Sequence, residues 1–214
     1  MSASTAKTIA SRFPGRWDRH YIAGKIATDP LYPAVLSELR DSTLPLLDLG
    51  CGLGLLSFFL RENGVLVPIH GLDYDAAKID RARRASAGDP GLAFDHHDAR
   101  TGLPGHSGNV TILDILQFFT PAQQQSLLTH AVSRLAPGGK LVIRSGLRDR
   151  STRFRLTVLG DLLAKATSWM KAAPIHYPTA AGLDAILSSH GTLRVAPLWG
   201  RTPFNNYLVV LEKT

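Results

Sequence analysis

The chain has 214 residues, of which 44% are hydrophobic and 19% charged, and a formal net charge of +7. That length and composition fit one compact domain with a sizeable core, or one domain plus a small appendage. No apolar run approaches the roughly 18 residues that span a bilayer. The lone Cys51 excludes an intramolecular disulfide, which fits a reducing compartment.

The opening MSASTAKTIASRFPG lacks the apolar centre of a signal peptide, so a cytoplasmic location is expected. Residues 1–43 read as an N-terminal helical arm beside the pocket. Arg12-Phe13-Pro14-Gly15 is a turn, and Val35, Leu36 and Leu39 are spaced for one face of a helix over Pro33–Leu39. Residues 44–214 form the main domain. Leu44–Leu49 is a buried strand; the turn Gly50-Cys51-Gly52-Leu53-Gly54 and an apolar helix that Gly64 can cap follow it. Val67–Asp73 is the second strand. Asp75 can cap a helix over Ala76–Ala87, and Leu92–His96 is the third strand. The fourth, Asn109–Leu116, is a nearly continuous apolar run broken by Thr111 and Asp114, as suits a parallel strand covered on both faces.

Thr120-Pro121-Ala122-Gln123 predicts a helix start with a reciprocal cap. That helix stops at Pro137-Gly138-Gly139, and Lys140–Ser145 is the fifth strand. The alternation predicts a doubly wound, Rossmann-like α/β sheet. The tail departs from it. Arg148–Lys171 reads as one helix, its apolar stripe drawn by Leu156, Leu159, Leu162, Leu163, Ala166, Trp169 and Met170. Asp161 and Lys165 form an i,i+4 pair on the polar side. Ala173–Pro178 is an extended linker, and Thr179 caps a short helix ending at Gly191. Leu193–Trp199 and Asn206–Glu212 close the chain as an antiparallel hairpin, completing seven strands.

A dinucleotide fingerprint requires G-x-G-x-x-G, whereas here the spacing is G-x-G-x-G and Leu55 stands where the third glycine belongs. A phosphate-binding P-loop would need Gly-Lys-Ser/Thr. Asp48, two residues before Gly50, would repel a pyrophosphate but welcome an ammonium, directly or through water. A ligand with an amino-acid end fits better than a diphosphate. The stretch Leu46–Gly54, LLDLGCGLG, resembles motif I of the class I S-adenosylmethionine-dependent methyltransferases. Later landmarks resemble that family in the same order: Asp73-Tyr74, Asp98-Ala99, Asp114, and Leu135-Ala136-Pro137-Gly138-Gly139-Lys140-Leu141.

The resemblance implies S-adenosyl-L-methionine as cofactor. It assigns the ribose hydroxyls to Asp73 and the adenine to Tyr74, Asp98 and Ala99. Asp114 would face the methionine end, and Asp48, Gly50, Cys51 and Gly52 would form the first corner of the site. Asp73 lies 23 positions after Gly50, the spacing of a ribose contact in dinucleotide folds too. Cys51 is a poor nucleophile candidate, because the loop uses its backbone. His96-His97-Asp98 is not a metal site, since neighbouring strand residues point to opposite faces.

Methyl transfer from a sulfonium needs alignment and water exclusion, and an oxygen acceptor also benefits from a base. His20 and Tyr21 in the arm, and His176 and Tyr177 after the fifth strand, are candidates near the open end. His20 and His176 are the expected bases. Residues 147–178 occupy the position of a substrate-covering insertion. That segment and Thr202-Pro203-Phe204-Asn205-Asn206 are similar to methyltransferases of bacterial aryl polyene and polyketide pigment pathways. The resemblance implies O- or C-methylation of an aromatic or polyene small molecule, free or tethered to an acyl carrier.

Between Arg148 and Lys171 six Lys/Arg face two Asp, so the segment has a local charge of +4. It suits an acidic carrier protein or peripheral contact with the inner membrane. A nucleic-acid methyltransferase is the alternative raised by the net charge. Against it, Asp114-Ile115-Leu116-Gln117 lacks the Asn/Asp-Pro-Pro-aromatic motif of base methylation. A non-catalytic protein on the same fold is the other alternative.

Overall fold

The computed structural model describes residues 3–166 and 176–214. Three helices come first: α1 (Ala3–Ser11), α2 (Arg16–Thr28) and α3 (Leu31–Leu39). There follow β1 (Leu46–Leu49), α4 (Leu55–Glu62), β2 (Ile69–Asp73), α5 (Ala76–Ala85), β3 (Leu92–His96), β4 (Asn109–Leu113), α6 (Pro121–Ser133) and β5 (Lys140–Gly146). The last elements are α7 (Thr152–Ala166), α8 (Ala180–Leu187), β6 (Gly191–Pro197) and β7 (Asn206–Lys213). The seven strands lie in the order β3-β2-β1-β4-β5-β7-β6. The first five are parallel; β7 runs antiparallel to β5 and to β6. The predicted Rossmann-like sheet with a closing hairpin is therefore what forms.

Strand order reverses between β1 and β4, since β2 and β3 extend one way and β5 the other. Crossovers diverge there, so a crevice opens at the carboxyl ends of β1 and β4. The interior of the sheet is apolar on both sides. Leu46 and Ile69 face one core cluster; Leu47, Leu49, Ile112 and Ile143 face the other. Burial on both faces explains why these strands read as continuous apolar runs rather than alternating ones.

The arm is part of the first core. Ile9, Phe13, Ile22, Ile26 and Val35 are buried with Phe58 and Phe59 of α4. Phe58 meets Phe13 edge-on at 6.1 Å between ring centroids and Phe94 at 5.9 Å. Each arm helix also has an ion pair to the body or close to it: Arg12–Glu62, Arg81–Asp18 and Lys140–Glu38. Exposed pairs of this sort contribute little individually, about 0–1 kcal/mol, so packing dominates and the pairs fix orientation.

Two predicted boundaries shift for local reasons. The fourth strand stops at Leu113 rather than Leu116, because Asp114 has φ 59° and turns the chain into a 3-10 turn at Leu116–Phe118. The helix expected from Arg148 starts at Thr152, because the Ser151 hydroxyl accepts the Phe154 N–H at 3.1 Å and caps it. Arg148 and Arg150 lie in the preceding turn. Trp169, Met170 and Lys171 of that expected helix, and Ala173–Ile175 of the expected linker, lie outside the described residues.

Candidate active site

A cleft of about 910 Å³ lies at the carboxyl ends of the parallel strands, where the strand order reverses. Its floor is the turn after β1. Gly50, Gly52 and Gly54 have φ of 75°, 57° and 72°. A side chain at Gly54 would strike the Phe94 ring at 2.7 Å, while at Gly52 it would project into open space. The second of these is the kind of vacancy that lets a ligand approach the backbone. The Gly50 and Cys51 amides donate to the Leu72 carbonyl at 2.7 and 3.0 Å, which ties the loop to β2.

Asp73, at the end of β2, holds the other side of the loop. Its Oδ2 accepts the Gly52 N–H and its Oδ1 the Asp75 N–H, both at 2.8 Å. Asp48 sits under the loop, 2% exposed, and its Oδ1 accepts the Thr111 hydroxyl at 2.7 Å. Burial pushes its carboxyl up to about 6; the Asp73 charge adds to this and the Thr111 hydrogen bond opposes it. Burial also pushes the Cys51 thiol far up, followed by the nearby Asp48 and Asp73 charges. A thiol raised in this way stays protonated at neutral pH and is a poor nucleophile.

Tyr74 and the Asp98-Ala99 pair line the next part of the cleft. Tyr74 is 45% exposed, open for a planar group to lie against. The Asp98 carboxylate caps the 3-10 turn Ala99–Thr101 and accepts the Arg100 guanidinium through both oxygens. That Arg100 hydrogen bond is the main reason its carboxyl lies below the usual range.

Asp114 lines the cleft just past β4. Its carboxylate is bound at both oxygens by Arg144 of β5, with Nε at 2.8 Å from Oδ1. Arg144 Nη1 also reaches Asp29 Oδ1 at 2.6 Å. Asp29 follows α2, so this buried guanidinium ties the arm to the ends of β4 and β5. Despite the cost of burial, two carboxylates hold Arg144 charged and raise its pKa. Asp114 thus borders the cleft as one arm of an ion triad rather than as a free carboxylate. Sequence reasoning missed Asp29 and Arg144. A charged residue inside the apolar run Leu141-Val142-Ile143-Arg144 was the available signal, because a buried charge demands a partner.

The acceptor side also departs from expectation. His20 is exposed and His176 half-buried, and neither lines the cleft; Tyr21 and Tyr177 do. His176 is used through its backbone, its N–H donating to Gln117 O and its carbonyl accepting Gln124 Nε2. Asp161 does not point to the outer, polar side of α7. It faces the cleft and accepts the Tyr177 hydroxyl at 2.7 Å. Its predicted partner, the Lys165 side chain, lies outside the described residues.

The cleft lining carries seven Asp against five Lys/Arg, a net negative cavity in a chain of net charge +7. Among the described residues no cluster of His, Cys, Asp or Glu could hold a metal ion.

Residues 46–139 match the family described as a methyltransferase domain. That segment, 94 of the chain's 214 residues, is similar to methyltransferase domains. Solved structures share the fold. The pyocyanin biosynthetic protein PhzM is 18% identical with a TM-score of 0.67, over 98% of this chain and 62% of that one. Magnesium protoporphyrin IX methyltransferase from Synechocystis PCC 6803, solved with bound S-adenosylhomocysteine, is 17% identical with a TM-score of 0.67, over 99% and 94%. The mitomycin 7-O-methyltransferase MmcR is 16% identical with a TM-score of 0.68, over 92% and 56%. The chain thus spans somewhat under two thirds of PhzM and MmcR. No curated protein sequence matches it significantly.

The residues lining the cleft fit S-adenosyl-L-methionine. Gly52 leaves space above the backbone, and a buried carboxylate, Asp48, lies beneath the loop. Negative charge predominates around a ligand whose sulfonium and ammonium are both cationic. A pyrophosphate would meet Asp48 and Asp73 instead of free amides.

Proposed function

We propose that this protein transfers a methyl group to a small apolar acceptor, aromatic or polyene, bound beside α7. The single observation that carries this reading is the continuity of the cleft. One cavity of about 910 Å³ runs from the glycine loop and Asp73 to a wall formed by Phe118, Phe119, Phe204 and Tyr177. Single-ligand pockets span roughly 300–1,000 Å³, so the volume at the upper end of that range supports two ligands held side by side.

When bound, the cofactor supplies an electrophilic methyl group on sulfur. The protein's part is to align the two reactants and exclude water. Asp73 would take the ribose hydroxyls, with Tyr74, Asp98 and Ala99 around the adenine. The Gly50–Gly52 backbone would approach the methionine portion while Asp48 balances its charge. Asp114, already paired with Arg144, would border the methyl end without serving as a base. The N-terminal arm would close the far rim through Tyr21, Pro30 and Leu31, all of which line the cavity.

Exposed Arg148, Arg150 and Arg155 support an acidic acyl carrier as one vehicle for the acceptor. Arg153 is committed otherwise: its guanidinium lies 4.5 Å over the Trp199 ring and donates to the Thr202 carbonyl at 2.8 Å. Reversing Arg155 should therefore slow a tethered acceptor and spare a free one, and equal effects on both would remove carrier docking.

Calorimetry with S-adenosylhomocysteine tests the cofactor half of the reading. Binding at micromolar dissociation constant or tighter is expected. Asp73→Ala should weaken it by at least tenfold, since a hydrogen bond to a charged group contributes about 1.5–3 kcal/mol. Absence of binding, or an unaffected variant, would defeat the reading.

A further inference from the structure

The acceptor wall of the cleft contains a titratable pair outside the cofactor corner. Asp161, on the inward face of α7, and Tyr177 both border the cavity, and the Tyr177 hydroxyl donates to Asp161 Oδ2 at 2.7 Å. The Tyr177 ring is fixed by an edge contact with Phe154, 5.2 Å between centroids. Thr157, Arg144 and His97, which also line the cavity, are engaged elsewhere. The Thr157 hydroxyl accepts the Asn205 N–H at 2.7 Å and donates to the Arg153 carbonyl at 3.0 Å. Across the cleft, Arg144 is occupied by Asp29 and Asp114. His97 also lines the cavity, but its Nε2 lies 2.7 Å from the Gly102 carbonyl, beside Asp98.

We propose that Asp161, oriented by the Tyr177 hydroxyl, is the base that receives the acceptor's hydroxyl proton, and that the acceptor is a phenol. This rests on the methyl-transfer reading of the cleft. As the acceptor's O–C bond forms and the cofactor's S–C bond breaks, the O–H electron pair remains on oxygen. The proton passes to the Asp161 carboxylate. The products are an aryl methyl ether, a neutral thioether and a protonated carboxyl group. A phenol suits the position because its ring can lie among Phe118, Phe119 and Phe204 while its hydroxyl meets the carboxylate.

The charged surroundings support the same role. Burial raises the Asp161 carboxyl above the ordinary range, the Tyr177 hydrogen bond opposes that rise, and the Asp114 charge adds to it. Burial and the adjacent Asp161 push the Tyr177 phenol well up, so it remains a donor. A carboxylate made more basic by its setting is a better proton acceptor near neutral pH.

The test uses the full chain saturated with S-adenosylhomocysteine, titrated by calorimetry with naphthol and with its methyl ether, which has no proton to give. Asp161→Asn should weaken naphthol binding roughly tenfold, leave the ether unchanged and leave S-adenosylhomocysteine binding unchanged. With radiolabelled S-adenosylmethionine, transfer to naphthol should slow at least about 100-fold in that variant. In Tyr177→Phe, which removes the hydrogen bond that lowers the Asp161 pKa, the acidic limb of the rate profile should move to higher pH. A merely structural role would not move that limb. Naphthol binding that is absent from the cofactor-loaded protein, or equal in wild type and Asp161→Asn, overturns the proposal. So does a rate and pH profile unchanged in Asp161→Asn. Failure to bind S-adenosylhomocysteine at all would instead overturn the methyl-transfer reading beneath it.

Discussion

Asp48 makes the cofactor site pH-sensitive, in a direction the structure fixes. The carboxyl is 2% exposed and its pKa is pushed up to about 6 by burial. The ligand's ammonium group gains from the ionised form only, so affinity for S-adenosylhomocysteine should fall as Asp48 protonates. With a pKa near that value, the carboxyl is almost fully ionised at about pH 7.5 and roughly nine-tenths protonated at about pH 5. The expected loss is therefore about tenfold in affinity, or ~1.4 kcal/mol. Calorimetry at the two pH values measures it directly. Asp48→Asn should bind weakly at both and lose most of the pH dependence. In the ligand-free protein the sign is opposite. A raised carboxyl pKa means the folded state holds the proton more tightly than the unfolded chain. Stability from this group is thus complete below about pH 4 and lost as pH rises through about 6. Asp48→Asn should then stabilise the ligand-free protein at neutral pH while weakening its binding. Affinity that stays flat from pH 5 to 7.5 in the wild type would refute the assignment of Asp48 to the ligand's cationic end.

Two further substitutions probe the frame around the site. Arg144→Met leaves Asp29 and Asp114 without their shared cation; with Asp114 about one-third exposed, the expected cost is about 2–4 kcal/mol, read by denaturant unfolding. Gly54→Ala must place a methyl group 2.7 Å from the Phe94 ring at φ 72°, and should cost about 1–3 kcal/mol while reducing S-adenosylhomocysteine affinity, because Gly54 closes the loop into α4. Wild-type stability in either variant would contradict the corresponding contact.

The parts of the fold legible in the sequence are those with local causes. β3 falls at Leu92–His96 as predicted, and β1, β2 and β5 agree within a few residues, because two-sided burial leaves an unbroken apolar run. The α6 start was readable to the residue: Thr120 and Gln123 form the reciprocal cap, with Pro121 at the first position. The glycine loop and Asp73 were legible because backbone conformation and strand-end position are encoded within a few residues. What depends on distant partners was not. Arg144 lies 115 positions from Asp29 and 30 from Asp114, and no local pattern joins them. The acceptor side was only partly legible for the same reason. The arm and the segment after the fifth strand suggested His20, Tyr21, His176 and Tyr177; of these Tyr21 and Tyr177 line the cleft, and folding adds Asp161, 16 positions from Tyr177.

The helix α7 shows why periodicity alone could not orient it. Leu156, Leu159 and Leu162 recur at three-residue steps and belong to the apolar stripe read from the sequence. They are 46%, 53% and 53% exposed, while Thr157 is buried and Asp161 faces the cleft. The inward face is set by specific contacts. Phe154 meets Tyr177, Gly160 accommodates Phe204 at a distance no side chain would tolerate, and Thr157 holds the Asn205 amide. Rotating the leucines inward would break all three contacts and drive Asp161 out of the cavity. Leu159→Ser distinguishes the two orientations. A surface position costs within roughly 0.5 kcal/mol, whereas truncating a buried leucine costs about 2–5 kcal/mol. Denaturant unfolding should therefore return a near-wild-type midpoint, with S-adenosylhomocysteine affinity unchanged. A loss of several kcal/mol would place Leu159 in a core, reverse the helix, and take Asp161 away from the acceptor with it.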